Sequence, residues 1–137
     1  MTKNQKRRTY SPSKASRSGI SDAFKAEVTR EANRLIDSVL KPKYVMPHAE
    51  DERFNYIIDI FGKWYHSYFY FCATYRVAGE NPVPPTFETK FTRMEYAGSN
   101  CFHLSFMRHT GQWVQVYDDL TLDECLAYVK DDEFFQP

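Results

Sequence analysis

A chain of 137 residues that is 42% hydrophobic and 26% charged is long enough for one globular core and too apolar to be disordered throughout. The net charge is zero, but residues 1–18 hold six of the 18 basic residues and none of the 18 acidic ones, which leaves 19–137 at −6. No apolar run approaches the ~20 residues of a transmembrane helix, and no apolar segment of a secretory signal follows the N-terminal charges. We therefore expect a cytoplasmic protein that does not enter a membrane.

The first 19 residues are rich in serine, lysine and arginine, and they are predicted to form a disordered arm because they cannot bury enough apolar surface to order themselves. The cations of this arm are Lys3, Lys6, Arg7, Arg8, Lys14 and Arg17. Cations that neutralise phosphates release counterions, so the arm favours nucleic-acid binding. The alternative is a terminus that only improves solubility. Residues 20–137 are predicted to form a single domain.

An amphipathic helix is predicted from about Ser21 to Leu40. Ser21 is a typical N-cap residue, and Asp22 places a negative charge in the first turn, where the helix dipole favours it. Apolar residues then recur at spacings of three and four, which gives the helix one buried face: Phe24, Val28, Ala32, Leu35 and Val39. Pro42 and Pro47 are predicted to end the helix and to begin a linker that runs to about residue 52.

The segment 53–77 contains ten aromatic residues, which favours β-strands because such side chains pack well on a pleated surface. Gly62 lies in the middle of the segment, so we expect two long antiparallel strands joined near Gly62. The proline-rich segment 78–85 is predicted to be a loop.

Three more strands are predicted in the C-terminal half. Residues 86–97 alternate in polarity, and the apolar side switches between Phe91 and Met94, which indicates a β-bulge. Turns are expected at 98–100 and 109–112, with strands at 101–108 and 113–117. Thr121 and Glu124 fit a capping box at the start of a short helix that ends near Lys130. Two phenylalanines near the C-terminus are expected to dock on the body, namely Phe134 and Phe135.

The predicted fold class is therefore α+β, with an N-terminal helix, a twisted antiparallel sheet of about five strands and a short C-terminal helix. Residues 34–137 resemble a small bacterial family known only as a domain of unknown function. The resemblance rests on the segments 94–97 and 104–108, on Trp113 and Tyr117, and on the closing residues 132–135. It implies the order of the elements and no activity. The chain differs from the family pattern in its basic arm and in its last residues, Phe-Gln-Pro.

No catalytic residue, metal site or cofactor is predicted. The four histidines do not pair at the spacings of zinc ligands, and the three cysteines lie far apart without a CxxC motif. The five glycines form no phosphate-binding loop, so we expect a protein that is not an enzyme, with reduced thiols.

The predicted ligand surface is one face of the aromatic strands. Aromatic residues occupy both odd and even positions of this segment, so both sides of the strands should carry rings. The first helix can cover only one side of the sheet. We expect the other side to be half exposed and to carry a set of binding residues: Trp64, His66, Tyr68, Tyr70 and Arg76. Exposed rings of this kind favour single-stranded nucleic acid. A protein-interaction module or a homodimer is the alternative partner class. A further alternative is that the C-terminal helix and the two closing phenylalanines bury this side as well.

Overall fold

The computed structural model describes residues 19–137. The predicted basic arm and its six cations lie outside the described residues, apart from Gly19. The elements follow in chain order as α1 (Asp22–Leu35), a π-helical turn (Ile36–Leu40), α2 (Lys41–Tyr44), β1 (Tyr56–Tyr65), β2 (Tyr68–Arg76), β3 (Thr86–Gly98), β4 (Cys101–Met107), β5 (Trp113–Thr121) and α3 (Leu122–Asp131). A single 3₁₀ turn, Glu133–Phe135, closes the chain. The α+β class, the two helical ends and the five strands are as predicted.

The N-terminal helix begins as predicted but ends later. The side chain of Ser21 caps it by accepting a hydrogen bond of 3.0 Å from the backbone N–H of Phe24. Pro42 does not end it, because the preceding turn widens so that Lys41 N–H donates to the Ile36 carbonyl, five residues back. Proline has no N–H to donate, and its ring crowds the carbonyl four residues earlier in a regular α-helix. A wider turn relieves both problems, and the chain stays helical to Tyr44.

The five strands form one antiparallel meander in the order β1-β2-β3-β4-β5. The β1–β2 turn is not at Gly62, as the sequence predicted, but at His66 and Ser67, with Tyr65 paired to Tyr68. His66 adopts the left-handed conformation that the turn needs, with φ of 54°. Gly62 instead lies within β1, where an added Cβ would stand 2.4 Å from the Phe69 ring. The glycine serves a close approach within the sheet rather than a turn.

The other local predictions agree with the structure. The bulge is present in β3, because Phe71 pairs with Thr92 whereas Cys72 pairs with Lys90, so that Phe91 is the extra residue. The capping box of α3 is complete, with both hydrogen bonds between Thr121 and Glu124 formed. Strand β5 runs four residues further than predicted, to Thr121. Its pairing with β4 shifts register, and within this irregular part Asp119 adopts a left-handed conformation with φ of 54°.

Both long helices pack on one side of the sheet, here called the covered face. A single apolar cluster joins α1, the sheet and α3, and its largest fully buried members include Phe69, Phe71, Phe102, Leu104 and Phe135. The alternative that the C-terminal helix buries the second side is therefore wrong. Of the two closing phenylalanines, Phe135 docks in this core as predicted, whereas Phe134 remains 69% exposed.

Near the C-terminus, the Gln136 side chain connects α2 to the end of α3 through hydrogen bonds. The Gln136 side chain accepts hydrogen bonds from Lys43, at 3.0 Å, and from the Tyr44 hydroxyl. Its amide nitrogen donates to the Val129 and Lys130 carbonyls at 3.0 and 2.9 Å. These bonds satisfy carbonyls at the end of α3 and tie them to α2, so the closing Phe-Gln-Pro has a structural role.

Candidate functional site

No helix of residues 19–137 covers the opposite side of the sheet, which we call the open face. The cross-strand pairs place one row of side chains across all five strands: Lys63, Tyr70, Arg93, Ser105 and Gln115. Rows on either side of it add aromatic rings, one more cation and one carboxylate: Phe61, Tyr65, Tyr68, Lys90, Glu95 and Trp113. Paired residues of antiparallel strands project to the same side, so these side chains form one surface.

Arg93 is the centre of this surface. Its guanidinium carbon lies 5.1 Å from the centre of the Tyr68 ring and 5.0 Å from that of Trp113. Both distances are within the range of a cation–π interaction. Tyr70 completes the cluster, because its ring is stacked on Tyr68 at 5.9 Å and lies 5.8 Å from Trp113. The result is a guanidinium held among three aromatic rings.

The two lysines of the open face repeat the same arrangement. Lys90 lies over the Tyr70 ring at 5.4 Å, and Lys63 lies over Phe61 at 5.9 Å. Lys63 also forms an ion pair of 3.6 Å with Glu88, in which both side chains are largely exposed. Exposed pairs of this kind contribute little to stability, so the Lys63 ammonium can exchange partners readily. Cations and rings therefore alternate along the face.

The long side chains of the open face meet above its floor. Tyr70 on β2 and Trp113 on β5 are three strand spacings apart, about 14 Å in a flat sheet, yet their ring centres lie 5.8 Å apart. These side chains bury the floor of the face where no helix of residues 19–137 covers it, and Cys72 and Ser105 are each only 1% exposed. Burial raises the pKa of the Tyr70 hydroxyl, which stays protonated and can donate a hydrogen bond at neutral pH.

Of the predicted binding residues, Tyr68 and Tyr70 lie on the open face, but Tyr70 is 9% exposed rather than half exposed. Trp64 was assigned to the wrong face. It pairs with Phe69, packs edge-on against that ring at 5.4 Å, and donates from its indole N–H to the Lys25 carbonyl of α1. The misplaced turn caused this error, because moving the turn from Gly62 to His66 reverses which β1 residues share a side with Tyr68.

The remaining predicted residues lie at the margins or outside the described chain. His66 is exposed in the β1–β2 turn, with its ring 4.1 Å from that of Tyr65. Arg76 is exposed at the far end of β2 and lines a groove beside the proline loop, together with Phe54 and Val83. The six cations of residues 3–17 cannot be placed relative to the face.

Sequence reasoning missed most of the cations and rings that surround Tyr68 and Tyr70. These are Phe61, Lys63, Tyr65, Lys90, Arg93 and Trp113. The alternation of β3 was a usable signal, since Lys90 and Arg93 lie on either side of the observed bulge at Phe91, which brings both to the same side. No local signal places Trp113 near Tyr70, because that contact depends on the pairing of four strands.

Groups that could hold a metal do not gather in the described chain. No three histidine, cysteine or acidic side chains converge within residues 19–137. His103 lies 3.7 Å from Asp118 and accepts a long hydrogen bond of 3.4 Å from the Asp119 backbone, so it is positioned by the β5 irregularity. Cys72, Cys101 and Cys125 are free thiols, and burial raises the pKa of Cys125 to about 12.

The architecture defines the class of the molecule as an α+β protein in which a five-stranded meander carries the long helices of residues 19–137 on one face. The chain belongs to the DUF3024 family, a domain of unknown function, whose family model matches residues 21–137. No curated protein and no solved structure matches the chain. None of the helices in residues 19–137 is long and apolar enough to cross a membrane.

Proposed function

We propose that this protein is a non-enzymatic, cytoplasmic binding protein whose ligand is single-stranded nucleic acid and whose binding surface is the open face. The observation that carries the proposal is the alternation of cations and aromatic rings around Arg93. Bases of any identity stack on aromatic rings, while neighbouring cations neutralise the phosphates. A sheet face that no helix of residues 19–137 covers offers both kinds of contact to one extended strand.

The charge of the chain limits the contact to this face. Residues 19–137 carry a net charge of −6, so the body as a whole repels a polyanion. The open face departs from that average, because Lys63, Lys90 and Arg93 outnumber the two carboxylates of β3 on that side, Glu88 and Glu95. We expect the six cations of residues 3–17 to add long-range attraction, which makes the affinity strongly dependent on salt.

The test replaces two aromatic side chains that a ligand can reach and whose loss should leave the sheet folded. Tyr65 and Tyr68 are a cross-strand pair on the open face, and Tyr65 is 60% exposed. The double variant Tyr65→Ser/Tyr68→Ser should weaken binding of a single-stranded oligonucleotide by about 1–3 kcal/mol per ring, which fluorescence anisotropy would measure. Tyr70 is left intact because its burial makes its replacement costly to folding.

The control removes two exposed rings elsewhere. Phe54 and Phe134 are 63% and 69% exposed and lie away from the open face. Phe54→Ser/Phe134→Ser should bind the oligonucleotide as the unaltered protein does. Equal affinity of both double variants, or no binding by the unaltered protein, would exclude the open face as a nucleic-acid surface.

A second candidate function, a protein-interaction module or homodimer, is favoured by a different surface. The groove beside the proline loop presents Phe54 together with Val83, which is 95% exposed. Exposed apolar groups that adjoin a groove are typical of protein contacts. Sedimentation of Phe54→Ser/Val83→Ser beside the unaltered protein tests this candidate. A shift toward monomer would support a homodimer, and an unchanged monomer would exclude one at this groove.

A further inference from the structure

Arg93 is one of two cations of the open face, with Lys90, that form no salt bridge with a carboxylate of residues 19–137. Salt bridges within residues 19–137 involve five other basic residues, namely Arg30, Arg34, Lys41, Arg53 and Lys63. Arg93 takes part in none of them, although it lies on the central strand of the sheet. Its contacts are instead the faces of Tyr68 and Trp113.

Two polar atoms under these rings have no hydrogen-bond partner in the part of the chain that the structure describes. They are the Arg93 Nε and the Ser105 Oγ, and both are shielded from solvent. The two residues are direct cross-strand partners, so the atoms belong to one small polar patch in the floor of the open face. Buried polar groups without partners cost free energy and concentrate at functional positions.

We infer that Arg93, supported by Ser105, anchors a backbone phosphate, so that the open face binds single strands without reading their sequence. This inference rests on the proposed function and specifies its ligand chemistry. A phosphate only accepts hydrogen bonds, and the two cross-strand partners of Arg93, Tyr70 and Ser105, carry hydroxyls that can donate to it. Lys90 adds a further donor on the same strand, whereas Glu95, two residues after Arg93 on the same side of β3, is an acceptor. Base edges present donors and acceptors in alternation and call for a mixed set of partners.

The rings beside Arg93 complete the contact with a nucleotide. Because the guanidinium lies over both Tyr68 and Trp113, a phosphate bound to its outer N–H groups brings the attached or adjacent base next to an aromatic ring. Stacking on Tyr68 tolerates every base, because each base has a π-face. Phosphate anchoring and base stacking thus act on one strand without selecting its sequence.

The principal experiment measures the salt dependence of oligonucleotide binding for Arg93→Gln. Loss of one phosphate contact should make the slope of log K against log salt shallower by about 0.7, the value for single strands. The affinity should fall by the same factor for oligo-dT, oligo-dA and a guanine-containing strand. The matched control is Arg108→Gln, an exposed arginine in the β4–β5 turn, which should leave slope and affinity unchanged.

Two results would overturn the inference. A loss confined to the guanine-containing strand would mean that Arg93 reads a base edge. An unchanged slope and affinity in folded Arg93→Gln would mean that it only packs between the rings. If Arg93→Gln does not fold, Arg93→Lys replaces it: the slope should then stay as in the unaltered protein, because the charge is kept. The affinity should still fall for all three strands, because the two-pronged donor is lost.

A second measurement separates this inference from the proposed function. The NMR signal of the Arg93 Nε–H group is followed while sodium phosphate is added against sodium chloride of matched ionic strength. A saturating shift of that signal, absent for the Arg108 Nε–H group, supports the phosphate anchor even if no oligonucleotide binds. In that case the proposed function fails and the anchor stands. Equal responses to phosphate and chloride would overturn the anchor, whatever the oligonucleotides do.

Discussion

The covered face and the open face of the sheet both carry aromatic rings at their centre, but they bury them in different ways. On the covered face, Phe69 and Phe71 lie beneath α1 and α3 in a layer of mainly apolar contacts, in which the buried Thr92 hydroxyl donates to the Phe135 carbonyl. On the open face, Tyr70 is buried by the long side chains of Lys90, Arg93 and Trp113. A ring under helices is held by many elements at once. A ring under flexible cations can be uncovered when those cations turn to a ligand.

The comparison predicts different costs for neighbouring positions of β2. Phe69 is fully buried on the covered face, so Phe69→Ala should lower the free energy of unfolding by about 3–5 kcal/mol. Tyr68, one residue earlier on the open face, is partly exposed, and Tyr68→Ala should cost about 1 kcal/mol. Urea unfolding of the two variants measures both values. Equal costs would mean that the faces do not differ in packing.

A smaller effect is expected at Gly62, where the covered face leaves no space for a methyl group. The added Cβ of Gly62→Ala would stand 2.4 Å from the Phe69 ring, so the ring must move, and overpacking of this kind costs about 1–3 kcal/mol. The double variant Gly62→Ala/Phe69→Leu supplies the control, because a smaller side chain makes room for the methyl group. Full additivity of the two single costs in the double variant would contradict the proposed contact.

Thiol reactivity gives the smallest and most local contrast. Burial raises the pKa of Cys72 beneath the open face and of Cys125 in the core, the latter to about 12, so at pH 8 both are almost wholly protonated. Cys101 at the start of β4 is partly exposed. Iodoacetamide in native buffer, read by peptide mass mapping, should modify Cys101 first and Cys125 last. Modification of Cys125 as fast as Cys101 would show that the core opens readily.

Local signals predicted those parts of the fold that depend on a few neighbouring residues. The capping box of Thr121 and Glu124 and the bulge at Phe91 are of this kind. The β1–β2 turn failed because Gly62 was interpreted as a turn residue, although its role is to admit the Phe69 ring from the next strand. The spacing of residues within one strand does not show which side chain of a neighbouring strand packs against it.

The candidate site was predictable in part for the same reason. Tyr68 and Tyr70 follow from the alternation of β2, and the freedom of their side of the sheet from helices was predicted. Trp64 was predicted on the wrong side of the sheet because the β1–β2 turn was predicted at the wrong residue. The cluster of Arg93 with Trp113 needs three strands in their correct register, so it appears only when the sheet is complete.

The central claim, that the open face is the ligand surface, is tested most directly by mapping backbone amide shifts while a single-stranded oligonucleotide is added to ¹⁵N-labelled protein. The account predicts that, within residues 19–137, saturable shifts cluster on the open-face positions of β2, β3 and β5, with Tyr68, Arg93 and Trp113 among the largest. The amides of α1 and α3 on the covered face should change little. Shifts concentrated in the helices, or none within residues 19–137, would contradict the claim.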